Sequence, residues 1–383
     1  MRRSLLSVPY PILFVTSNLG GGGGERVLVN VINHLDRTRF QPHLALYQKE
    51  GVFLRQLAAD VPVYEIQPTE CGFLRRNWVR MRAIKRLCTQ LRPALVMSML
   101  WQVNIVTILT DTLFGLGCPV VVNEQTALKM ALRSKWQRHI FWPLAHRVYK
   151  QAAKAIAASS GIASEAQEML SLSPDKFQVI HNPVDLDTIR DQSSLSSVSL
   201  STTHPRLVAV GRLDRPKNYP LLLRAVDRAV RERPVSLYIL GEGSERPRLE
   251  KLIRDLGLHS VVRLLGFQRN PYATMRQADV FVLSSDYEGF GNVIVEAMAL
   301  GVPVIATDCP YGPREILAGG KYGVLVPPGD EQALADAILS LLRDPDARRR
   351  LGAEAKKRAE EFSVEKAVLS YERLFLDLVE AEM

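Results

Sequence analysis

The chain has 383 residues, 47% hydrophobic and 23% charged, with 24 glycines, 22 prolines and a formal net charge of +9. That apolar fraction excludes a mainly disordered chain and leaves enough for two cores, with no collagen-like or coiled-coil bias. Four cysteines, Cys71, Cys88, Cys118 and Cys309, include no C-x-x-C pair, which excludes a disulfide-built scaffold and a zinc knuckle and points to a reducing, cytosolic setting.

The start, Met1 to Leu6, is basic then apolar, but Pro9 and Pro11 interrupt it and a strand is expected there rather than a signal segment. Short, continuously apolar runs then alternate with helical patterns along almost the whole chain. In the first half they fall at 12–16, 43–47, 61–66, 94–99, 119–123, 154–158 and 177–181. In the second half they fall at 206–210, 236–240, 261–266, 279–284, 302–307 and 322–326. Continuous rather than alternating apolarity predicts strands buried on both faces, hence parallel sheets under two helical layers and a doubly wound α/β fold. The helix expected from Arg26 to Leu35 places Val27, Leu28, Val31, Ile32 and Leu35 on one face. The most apolar stretch, Ala94 to Val122, carries Gln102, Asn104 and Asp111 and divides into strand, helix and strand, so no membrane-spanning helix is expected. Between the halves, residues 191–204 are dominated by Ser and Thr without periodicity and read as a linker between domains 1–190 and 205–362.

Three segments carry chemistry. The first strand leads into Gly20 to Gly24 and then a helix; glycine lets backbone N–H groups approach a phosphate, and a helix start adds partial positive charge. The pattern is neither G-x-G-x-x-G nor a Walker A, so an unliganded tight turn fits it equally. Past the strand at 206–210 stands Gly211-Arg212-Leu213-Asp214-Arg215-Pro216-Lys217-Asn218, two candidate cations at the carboxyl end of a buried strand, where α/β folds bind ligands. Cations there suit a diphosphate leaving group, and a solvated loop is the plain alternative. Past the strand at 279–284 stands Asp286-Tyr287-Glu288-Gly289-Phe290-Gly291-Asn292, opening a helix that contains Glu296. Carboxylates accept paired hydroxyl hydrogen bonds, as from a ribose or pyranose.

Glu288 and Glu296, with seven residues between them in Glu-Gly-Phe-Gly-Asn-Val-Ile-Val-Glu-Ala, resemble the signature of the retaining glycosyltransferase family 4. Gly22-Gly23-Gly24-Glu25-Arg26, Gly211-Arg212 with Lys217, Leu264-Leu265-Gly266-Phe267, Val304 to Ile316 and the C-terminal Phe362 to Lys366 with Tyr371-Glu372 resemble further family motifs, in family order, over nearly the whole chain. The resemblance implies a GT-B fold, two Rossmann-like parallel-sheet domains facing a cleft, with a C-terminal helix (363–383) returning to the first domain. It implies that Arg212 and Lys217 clamp the donor's diphosphate and that Gly22 and Gly23 lend N–H groups. Glu296 would bind the ribose. Glu288, with the backbone around Phe290, Gly291 and Asn292, would hold the transferred hexose, and Phe267 would approach the base. Glu288, Arg212 and Lys217 are thus the expected catalytic set, with no metal or other cofactor. The expected activity is retaining transfer of a hexose or N-acetylhexosamine from a nucleotide sugar, preferably UDP-linked, to a lipid-linked glycan in surface polysaccharide biosynthesis.

On the expected acceptor side, at Asn104 and Glu124, the chain departs from the family. It lacks a His in Ser98 to Asn104, and Asn123-Glu124-Gln125-Thr126 stands where Ser-Glu-Arg-Asn is usual. A nucleotide-sugar-binding protein without catalysis, or a GDP-mannose-dependent enzyme, therefore stays open. Residues 1–190 hold 23 Lys and Arg against 13 Asp and Glu, whereas 191–383 hold 26 against 27. No acidic residue occurs between 71 and 110, where Arg75, Arg76, Arg80, Arg82, Lys85, Arg86 and Arg92 stand, and 127–163 is likewise free of acid, with Lys129, Arg133, Lys135, Arg138, Arg147, Lys150 and Lys154. Basic amphipathic helices with aromatic borders suit an anionic bilayer, so peripheral association with the cytoplasmic membrane face is expected. Nucleic acid is not expected as a partner, since no stacked-aromatic or zinc motif accompanies the charge.

Overall fold

The computed structural model describes residues 8–66, 72–131, 145–195, 199–201 and 203–382. The chain divides into two compact units, one of residues 1–183 with 364–383 and one of residues 184–363.

Among the described residues the first unit holds a parallel sheet of β1 (Tyr10–Thr16), β2 (Phe40–Leu46), β3 (Val63–Glu65), β4 (Leu95–Met99), β5 (Val120–Glu124), β6 (Lys154–Ala157) and β7 (Phe177–Val179), in the order β3-β2-β1-β4-β5-β6-β7. The second holds β8 (Arg206–Val210), β9 (Ser236–Leu240), β10 (Val262–Gly266), β11 (Val280–Leu283), β12 (Val304–Thr307) and β13 (Val324–Val326), in the order β10-β9-β8-β11-β12-β13. All neighbouring strands pair in parallel. Each sheet reverses its winding between its first strand and its fourth, and loops leaving the carboxyl ends of that pair border the crevice in which such sheets take ligands.

Every apolar run read from the sequence is a strand, with ends shifted by a few residues. β2 starts earlier than expected, at Phe40, and takes in Pro42, which pairs with Ile12 of β1. β3 joins β2 only from Leu44 onward, so Pro42 faces an unpaired side where its missing N–H costs little.

The Gly23–His34 helix buries Val27, Leu28, Val31 and Ile32 on the sheet. The Val364–Ala381 helix belongs to the same unit. Its Phe375 ring meets Phe14 of β1 and Phe40 of β2 edge-on, with centroids 6.2 and 6.1 Å apart. Its Tyr371 hydroxyl accepts a 2.8 Å hydrogen bond from Asn123, and Glu372 accepts one of 2.7 Å from the Asp36 N–H.

The division between units falls earlier than the expected linker. Residues Leu186–Ser193 form a helix capped by Asp185, whose carboxylate accepts from the Thr188 N–H at 2.9 Å. That helix is part of the second unit, where Asn270 donates to the Gln192 carbonyl at 2.8 Å. Residues 191–193 therefore end a helix, and 196–198 and 202 lie outside the described residues. The chain enters and leaves the second unit at adjacent points, for the Val184 N–H donates to the Phe362 carbonyl at 3.0 Å and Val184 bridges Ser363.

Candidate active site

In the second unit the loops after β8 and β11, neighbours in the sheet, are stitched together by hydrogen bonds. The β8 loop lies flat on the β9 loop. The Gly211 N–H donates to the Leu240 carbonyl at 3.0 Å, and the Leu213 N–H to that of Glu242 at 2.9 Å. A Cβ on Gly241 would fall 1.9 Å from the Gly211 carbonyl oxygen, so only glycine allows this approach. One short turn, Arg215–Lys217, follows and ends at Asn218 with φ 43°. The Asn218 side chain has two tasks. Its oxygen accepts from the Leu221 N–H at 3.2 Å, capping the Tyr219–Glu232 helix, and its amide donates to Asp286 at 2.7 Å. The Asp286 N–H returns a bond to the Pro216 carbonyl at 2.8 Å, and the Ser284 hydroxyl donates to the Lys217 carbonyl at 2.9 Å.

This frame brings Lys217 and Glu288 together. The Lys217 ammonium lies 2.5 Å from Glu288 Oε1, with side chains 19% and 10% exposed. The Ser285 hydroxyl donates to the same oxygen at 2.6 Å. Glu288 is also fixed through its backbone, which donates to the Pro310 carbonyl at 2.7 Å and accepts from the Tyr311 N–H at 2.9 Å. Two groups beside it register its charge. Burial, and then the Glu288 carboxylate, push the Cys309 thiol up to about 12. Burial, then Glu288 and Asp214, raise the Tyr219 hydroxyl well above its ordinary value.

Gly291 precedes the Asn292–Ala299 helix with φ 101°, a conformation that disfavours other residues and turns the backbone sharply into the helix. A helix start carries a partial positive charge, which suits an anion or a hydroxyl oxygen. Glu296 lies inside the helix and is buried. Phe290 is buried too, its ring edge-on to Phe362 at 5.5 Å, so its side chain is a core anchor. Phe267 follows Gly266 at the end of β10 and is 57% exposed, two strands from the Arg212 loop in sheet order. Arg212 stands apart from the Lys217–Glu288 pair. It is 77% exposed and reaches Asp214 at 3.3 Å, where its charge is solvated.

In the first unit, Gly22 is the residue before the Gly23–His34 helix, and the Glu25 carboxylate folds back over it. Asn104 and Glu124, expected on the acceptor side, are enclosed rather than surface groups. Asn104 donates to Glu124 Oε1 at 2.7 Å and to the Asn123 carbonyl at 3.0 Å, and accepts from Ser98 at 2.8 Å. The Tyr149 hydroxyl also donates to Glu124. Burial pushes the Glu124 carboxyl up to about 7, against the lowering effect of those two hydrogen bonds.

Of the expected basic surface, the Phe73–Leu91 helix is described, with Arg82 and Arg86 exposed; residues 132–144 of the second basic stretch, and Cys71, lie outside the described residues. Sequence reasoning missed Ser285 and Asn218. Ser285 sits three residues before Glu288, close enough to hint at a bond. Asn218 gave no signal, because its partner Asp286 is distant in sequence. Among the described residues no helix is long and apolar enough to cross a membrane.

Comparison with known proteins matches residues 21–188 to the family model described as Glycosyltransferase Family 4, and residues 192–358 to that described as Glycosyl transferases group 1. The chain is 30% identical over 360 residues to the N-acetylgalactosamine-N,N'-diacetylbacillosaminyl-diphospho-undecaprenol 4-alpha-N-acetylgalactosaminyltransferase of Campylobacter jejuni, covering 91% of this chain and 94% of that one. It is 26% identical over 363 residues to the lipopolysaccharide core biosynthesis glycosyltransferase LpsD of Rhizobium meliloti, covering 93% and 94%. Among solved structures it is similar to Anabaena Alr3699/HepE in complex with UDP-glucose, with TM-score 0.80 and 22% identity over 96% of this chain and 100% of that one. It is similar also to sucrose-phosphate synthase from Thermosynechococcus elongatus, with TM-score 0.82 and 20% identity over 97% and 100%. With models matched in both units and a relative aligned over nearly its full length, the chain belongs to glycosyltransferase family 4: it is a glycosyltransferase of GT-B fold, related to transferases of lipid-linked glycans.

Proposed function

We propose that the protein transfers a hexose or N-acetylhexosamine from a nucleotide sugar, UDP-linked in preference, to a lipid-linked glycan, with retention at the anomeric carbon. The observation that carries this reading is the Lys217–Glu288 pair, held at 2.5 Å where the β8 and β11 loops meet, beside the helix start at Asn292. In this reading Lys217 and Arg212 neutralise the charge that grows on the diphosphate as its bond to the sugar breaks, and no metal is needed for that step. Glu288 accepts hydroxyl hydrogen bonds from the transferred sugar, the backbone of Phe290, Gly291 and Asn292 fixes its position, and Glu296 takes the ribose. Phe267 offers an exposed ring to the base. Gly22 and Gly23 keep the phosphate role that the resemblance gives them. Glu288 is already engaged by Lys217 and Ser285, which suits a binding group better than a nucleophile. The leaving phosphate is then the base that takes the acceptor's proton, on the same face as departure.

The relatives named for undecaprenol-linked substrates support a lipid-linked acceptor, and the UDP-glucose complex of HepE supports the uridine preference. The basic first half supports work at an anionic membrane face, and makes nucleic acid an unneeded partner. The test is a radiolabelled screen of UDP- and GDP-sugars against membrane lipid acceptors, with and without EDTA. Transfer that survives EDTA and is lost in Glu288→Ala and Lys217→Ala is expected. Absence of transfer from every donor, with nucleotide-sugar binding retained, would replace this reading by that of a binding protein.

A further inference from the structure

Both cations of the β8 loop that the proposed function uses face an acid of their own. Lys217 meets Glu288, and the Arg212 guanidinium meets Asp214, with Nη2 3.3 Å from Oδ2. The two pairs differ in kind. Lys217 and Glu288 are largely buried and hydrogen-bonded, whereas the Arg212 side chain is 77% exposed and turns freely on its long stem. Asp214 is fixed by its backbone: its N–H donates to the Arg212 carbonyl at 2.9 Å, and its carbonyl accepts from the Lys217 N–H at 3.2 Å. It stands before the Arg215–Lys217 turn, where an aspartate side chain ordinarily caps, yet it makes no capping bond. Its Oδ1 is buried, and among the described residues nothing donates to it. The charge also reaches inward: after burial and Glu288, Asp214 is the third cause that raises the Tyr219 hydroxyl.

A carboxylate with one oxygen buried and unpaired costs stability. Its attraction to an exposed arginine does little to offset that, because such pairs are weak in water. Packing and capping thus give no reason for an acid at 214; the reaction does. Arg212 and Lys217 are the cations that the proposed function sets against the diphosphate. A nucleotide sugar carries one charge on each of its two phosphates. Once the sugar has left, the terminal phosphate takes a further charge near neutral pH. The same cations therefore hold the product more firmly than the donor. An acid beside the exposed cation opposes that excess grip, for it offers the guanidinium a second partner only two residues along the chain.

We infer that Asp214 is a positioning residue for Arg212: it competes with the bound diphosphate for the guanidinium, and so hastens departure of the nucleoside diphosphate after sugar transfer. This deepens the proposed function and rests on its assignment of Arg212 to the diphosphate.

The test titrates the full chain with UDP and GDP by calorimetry. Whichever binds more tightly serves for the variants, and its release is timed by stopped-flow displacement. Arg212→Gln checks the donor reading first and is expected to weaken binding about tenfold or more. Asp214→Asn is expected to tighten binding about fivefold, through slower release. Asp214→Glu keeps the charge and should stay within about twofold of the wild type. In the Arg212→Gln background, Asp214→Asn should change affinity by less than about 1.5-fold, because the competition has lost its object. The unfolding transition of each variant should match or exceed that of the wild type. Binding that is unchanged or weaker in Asp214→Asn overturns the inference. So does equal tightening in the Arg212→Gln background, which would mark general charge repulsion, and so does tightening confined to the association rate. Wild-type affinity in Arg212→Gln instead refutes the role of Arg212, and failure of both nucleotides to bind refutes the donor reading itself; the inference falls with either. Should the Asn variant be unstable, Asp214→Ser carries the same comparison.

Discussion

Glu124 provides a measurable consequence of the first unit's buried network. Its carboxyl is pushed up to about 7 by burial, from 4.5 in the unfolded chain. Between those values the folded state holds a proton that the unfolded state has released, so stability falls as pH rises through that window. Below pH 4.5 both states are protonated and the contribution is complete; above pH 7 both are ionised and it is lost. At 1.36 kcal/mol per pH unit the loss is about 3 kcal/mol. Glu124→Gln removes the titration while keeping the shape and one acceptor oxygen for Asn104 or Tyr149. The four tryptophans, Trp78, Trp101, Trp136 and Trp142, all belong to the first unit, so tryptophan fluorescence during urea unfolding follows that unit. With a slope of about 2 kcal/mol per molar urea, the variant's midpoint should rise relative to wild type by about 1.5 M between pH 5 and pH 8. A difference between the two proteins that stays constant across that range refutes the argument.

Ser285→Ala removes one of the two groups that hold Glu288 Oε1; steady-state kinetics should show kcat falling about tenfold, with UDP affinity unchanged. Phe375→Ala opens a cavity where three aromatic rings meet and should destabilise the first unit by about 3–5 kcal/mol in the same fluorescence assay, while UDP still binds the second.

The strands were legible because burial on both faces leaves an uninterrupted β-branched run, a local signature that needs no knowledge of partners. The motif at 288–296 was legible because the turn, the helix start and both acids are contiguous. Residues 191–193 were misread as linker because a short helix of Asp, Gln and Ser carries little periodicity; what holds it is Asn270, far along the chain.

For Phe290 the sequence points to its backbone, between two glycines; that its ring fills space against Phe362 is set only once the chain has folded back. The enclosure of Glu124 is likewise unwritten in its neighbourhood: Asn104 and Tyr149, which bond it, are twenty or more positions away.

What the amino-acid order determined alone is the α/β architecture, the two glycine-bounded loops and the surplus of cations before residue 190, since each is written in adjacent residues. Only the tertiary structure decided that Lys217 rather than Arg212 meets Glu288, and that Arg80 stacks on Tyr47. Those pairings depend on strand order, which sets side by side loops that lie about seventy and thirty residues apart in the chain, and no local pattern records it.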